Sequence, residues 1–147
     1  MDDESNRIMI SRTVTIFGVF DGIHDGHNAF INDAKEQGDR LIAIVARDEV
    51  VKKLKGKLPI HNEVERIKAL LEVPEIDSVF LGDKDEGAYN IIKEIKPDII
   101  FLGYDQQKLF NSITLAMKKN ILSKNIKLIF GKPHKSDTHH SSILNKK

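Results

Sequence analysis

Gly18-Val19-Phe20-Asp21-Gly22-Ile23-His24-Asp25-Gly26-His27 is the stretch whose reading decides the fold. Before it stands the β-branched run Thr13-Val14-Thr15-Ile16-Phe17, which reads as a buried strand. After it comes a helical pattern from about His27 to Gln37, with Ala29, Phe30 and Ala34 on one face and Gly38 closing it. Glycines and two imidazoles, His24 and His27, therefore fall where a strand hands over to a helix. Such a junction aims backbone N–H groups and the positive end of a helix dipole at whatever lies above the sheet, and a phosphate is the natural occupant. Imidazoles three residues apart can donate hydrogen bonds to phosphoryl oxygens, and Gly26 lets the backbone approach closely. The bland alternative is one histidine capping the helix and one packed in the core.

Working outward, apolar runs predict further strands at Arg40–Ala46, Asp77–Leu81, Asp98–Leu102 and Lys127–Phe130. Helical patterns predict helices at Asp48–Leu54, Asn62–Leu71, Ala88–Ile95 and Gln107–Lys119. Asn62 is the expected cap of its helix, and Pro97 stops the one before it. Lys55 to Ile60 reads as a basic loop. Strands alternating with helices predict an α/β fold, Rossmann-like, with three α/β/α layers and a five-stranded parallel sheet. Ligands in such sheets bind at the carboxyl ends of the strands. Three turns fall at such ends: 18–27, 82–87 and 103–106.

The 147 residues suit a single domain, read as 13–147 behind a flexible leader, 1–12. Twenty-three basic and 22 acidic side chains leave a net charge of +1, which makes no case for nucleic acid as a partner. There is no cysteine, which excludes disulfides, a thiolate nucleophile and a cysteine-zinc site. The longest apolar run, Leu41 to Ala46, is far short of the roughly 20 residues of a membrane helix, and the leader lacks a signal-peptide core. The expectation is a soluble, cytoplasmic protein with no membrane partner. No Walker A pattern is present and no Gly-x-Gly-x-x-Gly follows the first strand, so P-loop and hydride-transfer readings drop out.

Phe20-Asp21-x-x-His24-x-Gly26-His27 after a first strand resembles the HxGH motif of the nucleotidyltransferase superfamily, the cytidylyltransferase-like proteins. Glycerol-3-phosphate cytidylyltransferase, pantetheine-phosphate adenylyltransferase and archaeal-type FAD synthase are members. Leu102-Gly103-Tyr104-Asp105-Gln106, together with Ile44 to Asp48 and Leu54-Lys55-Gly56, resembles the FAD synthase branch. The resemblance implies that His24 and His27 stabilise the transition state at the α-phosphate of a nucleoside triphosphate. It implies that Lys55, and less strongly Lys57, balances phosphate charge, although an exposed basic loop is the plain alternative. Gly18, Val19, Phe20, Gly26, Gly103 and Asp105 would contact nucleotide or phosphate, with Val19 standing where the family usually has a hydroxyl residue. Arg66 either orders the lysine loop or reaches phosphate. Asp21 is either a turn-stabilising carboxylate or, with Tyr104, a contact to the acceptor. In the tail, Ser141 fits a hydroxyl position at a helix start, while His134, His139 and His140 depart from the family pattern.

The activity so implied is transfer of a nucleoside monophosphate to a phosphorylated acceptor with release of pyrophosphate. The first choice is AMP from ATP to FMN, with Mg²⁺ carried by the substrate rather than by protein ligands. The alternatives are a CTP-dependent cytidylyltransferase acting on glycerol 3-phosphate or another polyol phosphate, and a nucleotide-binding module that has lost catalysis. The family also implies a homodimer.

Overall fold

Five parallel strands carry the molecule, and each helix packs on the face that its connection dictates. The computed structural model describes residues 11–22, 25–85 and 87–133, the side chains of residues 25 and 26 excepted. In chain order the elements are β1 (Thr13–Gly18), α1 (Asp25–Lys35), β2 (Arg40–Val45), α2 (Asp48–Lys55), α3 (Glu63–Leu71), β3 (Ser78–Leu81), α4 (Asn90–Ile95), β4 (Ile99–Leu102), α5 (Gln107–Lys118) and β5 (Lys127–Phe130). The sheet order is β3-β2-β1-β4-β5, and every neighbouring pair is parallel. The expected Rossmann-like α/β architecture with five strands is therefore present.

Alternation along the strands splits the core in two. Val14 and Ile16 of β1 face Ile31 and Ala34 of α1 and Leu70 of α3. On the other face, Ile44, Ile100 and Leu102 meet Ile92 of α4 and Ile113 and Ala116 of α5. Burying each such Ile or Leu contributes roughly 1.5–3 kcal/mol. On α1 the fully buried positions are Ile31 and Ala34, and Phe30 packs at the cluster margin.

Boundaries differ from the sequence expectation by one to two residues. Helix α1 begins at Asp25 and ends at Lys35, so Gly26 and His27 belong to its first turn. Lys55 is the last residue of α2, not part of a loop; Gly56, at φ 80°, ends the helix by donating to the Lys52 carbonyl at 2.7 Å. Arg12, the last residue of the expected leader, is bonded to the fold. The Arg12 amide donates to Asp39 Oδ2 at 2.8 Å, and its carbonyl accepts from the Asp39 and Arg40 amides. Residues 1–10 lie outside the described residues, as do His24 and the tail with His134, His139, His140 and Ser141. Among the described residues, no helix is long and apolar enough to cross a membrane.

The topology creates one crevice. Strand β1 pairs with β2 over its whole length but with β4 only at Val14↔Ile99 and Thr15↔Ile100. Beyond these the strands part, because β1 leads back toward β2 and β4 leads on to β5. Gln106 fills the parting: its Nε2 donates to the Phe17 carbonyl at 3.0 Å, and its Oε1 accepts from the Gly103 amide at 2.8 Å. Just after β1 the chain turns through Phe20, a buried residue at φ 54°, a left-handed conformation costly for a side chain with a Cβ. Its ring folds back on Gly18, where a Cβ would stand 2.8 Å from Phe20 Cε2. Gly18→Ala is therefore expected to destabilise the fold by about 1–3 kcal/mol, read as a lower urea midpoint at unchanged slope.

Candidate active site

A cavity of about 850 Å³ opens over the crevice at the carboxyl ends of β1 and β4. Its floor is Phe17 to Asp21. One wall is His27 and Phe30 of α1; a second is Val51, Leu54 and Lys55 of α2 with Lys57 to Ile60; a third is Gly103 to Gln106 with Lys108 and Leu109 of α5, and Gly131 and Lys132 follow β5. This volume lies within the range of small-molecule sites, about 300–1,000 Å³.

His27, in the first turn of α1, is half-buried and packs its ring against Phe20, centroids 5.7 Å apart and planes inclined at 55°. The strained turn at Phe20 thereby sets the plane of the imidazole. Its expected companion, His24, falls outside the described residues. Gly18, Val19 and Phe20 line the floor as expected, and Gly103, Tyr104 and Asp105 line the opposite wall. Asp105 folds over Gly103: a Cβ on that glycine would stand 3.0 Å from Asp105 Oδ1.

The segment carrying Lys57 is tied down at three points. Asp21 Oδ2 accepts from the Ile60 amide at 2.7 Å, and Oδ1 accepts from the His61 amide at 2.9 Å and contacts His61 Nδ1 at 3.0 Å. Partial burial pushes the Asp21 carboxyl up, but the His61 and Ile60 amides and the His61 ring outweigh it and hold the group below its ordinary 3.8. The carboxylate thus takes the turn-stabilising role, across 40 residues of sequence rather than within its own turn.

Arg66 on α3 is 1 % exposed. Its Nε donates to the His61 carbonyl at 3.0 Å, Nη1 to the Val19 carbonyl at 2.8 Å and Nη2 to Asp48 Oδ1 at 2.7 Å. It does not line the cavity. Of its two expected roles, these contacts are those of a residue that orders the lysine-bearing loop. A guanidinium so enclosed has no face left for phosphate. Beside it, α2 and α3 cap each other: the Asp48 amide donates to Glu63 Oε1 at 2.8 Å and the Glu63 amide to Asp48 Oδ2 at 3.2 Å. Asn62 and Glu65 complete a capping box.

The 82–87 turn does follow a strand's carboxyl end, but the strand is the edge strand β3, two strands from the crevice, and none of the turn's described residues lines the cavity. The Gly82 carbonyl accepts from Arg47 Nε at 2.7 Å, and Asp83 Oδ2 meets the Ile91 amide at the start of α4. A strand's carboxyl end is a site only beside the parting of the sheet.

Sequence reasoning gave no site role to Lys108, Lys132 and Leu58, and named Gln106 and Leu54 only as members of motifs. Lys108 had a signal: it stands in the first turn of α5, a cation at the positive end of a helix dipole. Lys132 had another, since it stands two residues beyond the carboxyl end of β5. Lys55, Lys57, Lys108 and Lys132 all line the cavity, and among the described residues none is in a salt bridge. Against four ammonium groups the described lining sets only Asp21 and Asp105. The arrangement is a cationic vessel with a helix N-terminus and an imidazole in one wall, chemistry suited to a polyanion of phosphates.

Comparison with known proteins agrees with this geometry. The family model described as cytidylyltransferase-like matches residues 15–146. A FAD synthase of Pyrococcus horikoshii is 43% identical over 116 residues, covering 79% of this chain and 77% of its own. A FAD synthase of Thermoplasma acidophilum is 36% identical over 130 residues, covering 88% and 89%. Among solved structures, a protein titled lipopolysaccharide core biosynthesis protein, from Thermoplasma volcanium, superposes with a TM-score of 0.76 at 34% identity, over 86% of this chain and all of that one. Pantoate-beta-alanine ligase of Francisella tularensis, at 14% identity and a TM-score of 0.56, shares the fold alone. With its strand order, its crevice and its matched span in agreement, the chain belongs to the cytidylyltransferase-like family of nucleotidyltransferases.

Proposed function

We propose that the protein transfers AMP from ATP to FMN, forming FAD and pyrophosphate. The observation that carries this reading is the single cavity at the β1/β4 parting. It gathers His27, four lysines without an ion-pair partner among the described residues, and the Gly103-Tyr104-Asp105 turn in a chain whose relatives are named FAD synthase.

In this reading an oxygen of the FMN phosphate attacks the α-phosphorus of ATP. A P–O bond forms there as the bond to the β-phosphate oxygen breaks, and the electron pair leaves on pyrophosphate. A phosphate monoester is largely dianionic at neutral pH, so no proton has to be removed from the nucleophile. The protein's work is positioning and charge stabilisation. His27, with His24, donates to the phosphoryl oxygens, and the N-terminal amides of α1 add their dipole. Lys55 and Lys57 take the charge that develops on the departing pyrophosphate, and Lys108 and Lys132 lie on the opposite wall. The Gly103–Asp105 turn faces the base, and the Tyr104 ring stands beside it. Ser141 remains a candidate phosphate contact.

Magnesium fits as a passenger of the triphosphate. Among the described residues no three His, Cys, Asp or Glu side chains gather as a cation site, and both oxygens of Asp21 already accept hydrogen bonds. Bound there, the ion would neutralise phosphate charge. In this reading the protein works in the cytoplasm, where ATP and FMN are at hand.

The test is incubation with ATP or CTP, crossed with FMN or glycerol 3-phosphate, reading pyrophosphate. ATP with FMN is the expected productive pair; turnover only with CTP and glycerol 3-phosphate would replace this reading with the polyol phosphate one. His27→Ala is expected to lower kcat about 10²–10³-fold with an unchanged melting temperature. If turnover survives that change, the imidazole has no part in the chemistry.

Asp21→Asn is expected to raise the KM for ATP by loosening the lysine loop, and to lower the melting temperature by about 2–4 °C near neutrality. The folded carboxyl titrates below 3.8. Its stabilisation is therefore complete above that value and is lost as pH falls through the folded value. The difference in melting temperature between wild type and Asp21→Asn should accordingly shrink as pH falls from about 5 to about 3. A difference that does not change over that interval would mean the carboxylate's charge has no part in the clamp.

A further inference from the structure

We propose that Leu54, Leu58 and Ile60 form an apolar platform for the flat ring system of the acceptor, on the α2 side of the cavity mouth. The inference rests on the reading of the chain as a transferase acting on FMN, and it assigns the subsite that recognises the flavin ring.

All three residues line the cavity, yet they are 63%, 57% and 88% exposed. Single exposed aliphatic residues are ordinary, but three within seven residues of chain at the rim of one cavity mark a surface meant to be covered. Their exposure does not come from slack backbone. The Ile60 amide is held on Asp21 Oδ2, the His61 amide on Asp21 Oδ1, and the His61 carbonyl accepts from buried Arg66. The main chain is thus fixed while the Ile60 side chain is left in water. Leu54 stands one helical turn beyond Val51, which also lines the cavity and is 3% exposed. Val51 and Leu54 thus carry an apolar wall from the protein interior toward the rim.

The pattern of charge says what covers it. Leu54-Lys55-Gly56-Lys57-Leu58 interleaves two cations with two aliphatic side chains, all four on the cavity. Lys55 and Lys57 suit the triphosphate, and the aliphatic side chains flanking them suit a flat, apolar body held beside it. A polyol phosphate would set hydroxyls that lose water against methyl groups that return no hydrogen bond. The three-ring body of FMN can lay its dimethylbenzenoid part on the platform with its carbonyl edge in water, and gains from the buried area. The ring site also lies apart from the Gly103-Tyr104-Asp105 wall, so each ring system of the dinucleotide product has its own surface.

The platform is tested in the full chain with Leu54→Ser, Ile60→Ser and the double variant. Val64→Ser serves as control, at a residue of similar exposure that does not line the cavity. Because these side chains are already in water, the variants should fold; circular dichroism and melting temperature check this. FMN affinity is read without catalysis from quenching of flavin fluorescence, and KM is measured separately for FMN and ATP. The double variant is expected to weaken FMN binding and raise its KM about tenfold or more, with the KM for ATP and kcat within about twofold and Val64→Ser like wild type. FMN affinity unchanged in the double variant, while wild type makes FAD, would overturn the platform alone. So would FMN and ATP constants rising together, or a dimer that falls apart with FMN affinity intact, which would make the rim a contact between copies of the chain. A wild-type chain that neither quenches flavin fluorescence nor makes FAD would overturn the functional reading itself.

Discussion

The buried guanidinium of Arg66 is the constraint around which the site is assembled. A cation taken out of water is costly unless it is paired and fully hydrogen-bonded, and a buried pair broken at one partner costs about 3–5 kcal/mol. Arg66 escapes that cost by binding three segments at once: the carbonyl of Val19 after β1, the carboxylate of Asp48 at the head of α2, and the carbonyl of His61 ahead of α3. The partners lie on three different segments, so the guanidinium can be satisfied only when all three are in place. The Phe20 turn, the direction of α2 and the path of the lysine-bearing loop are therefore settled together. Asp21 then adds a second tie between the same two loops. The left-handed backbone at Phe20, unfavourable taken alone, persists because these contacts over-determine it.

The crevice itself follows from topology. A sheet that grows from β1 in one direction and then returns to grow in the other must part its two central strands at their carboxyl ends. The parting exposes the Phe17 carbonyl and the Gly103 amide, which a neighbouring strand would otherwise pair. Gln106 pairs both with one amide group, and it is suited because a primary amide both donates and accepts. A glutamate could accept from Gly103 but would set a charge against the Phe17 carbonyl. A leucine would leave both groups unpaired. The residue that closes the sheet also lines the cavity, so one side chain bridges the floor at Phe17 and the wall at Gly103.

The architecture was legible in the sequence because its signals are local. Continuous apolar runs separated by helical spacing gave every strand and helix to within two residues, and the Asn62 cap is present as expected. The floor and the far wall, Gly18 to Phe20 and Gly103 to Asp105, were legible because both turns end strands adjacent to the parting. What failed was long-range. Nothing near Gly82 says that β3 is an edge strand; that depends on the order in which the strands assemble. Nothing near Arg66 says that its partners are Val19, Asp48 and His61, 47, 18 and 5 residues away. Leu54, in a sequence window, looks like the apolar face of its helix, and Leu58 like a lone apolar residue in a basic loop. Only the folded chain shows both in water at the mouth of the cavity.

The cavity's charge carries a consequence for the empty protein. Four lysines without described partners, one of them at the positive end of α5, repel one another across a partly enclosed space where screening by water is reduced. The unliganded fold bears that repulsion, and a triphosphate removes it. Part of the affinity for a polyanion is thus strain already stored in the empty site. The apolar rim works in the opposite sense, since exposed Leu54, Leu58 and Ile60 gain nothing from charge and respond only to a ligand with a dry face. A nucleotide alone would relieve the lysines and leave the rim in water. A flavin without phosphate would cover the rim and leave the lysines unpaired. Both demands are met together only when a triphosphate and a flat, phosphorylated acceptor occupy the cavity at once, which is the state from which the proposed transfer proceeds.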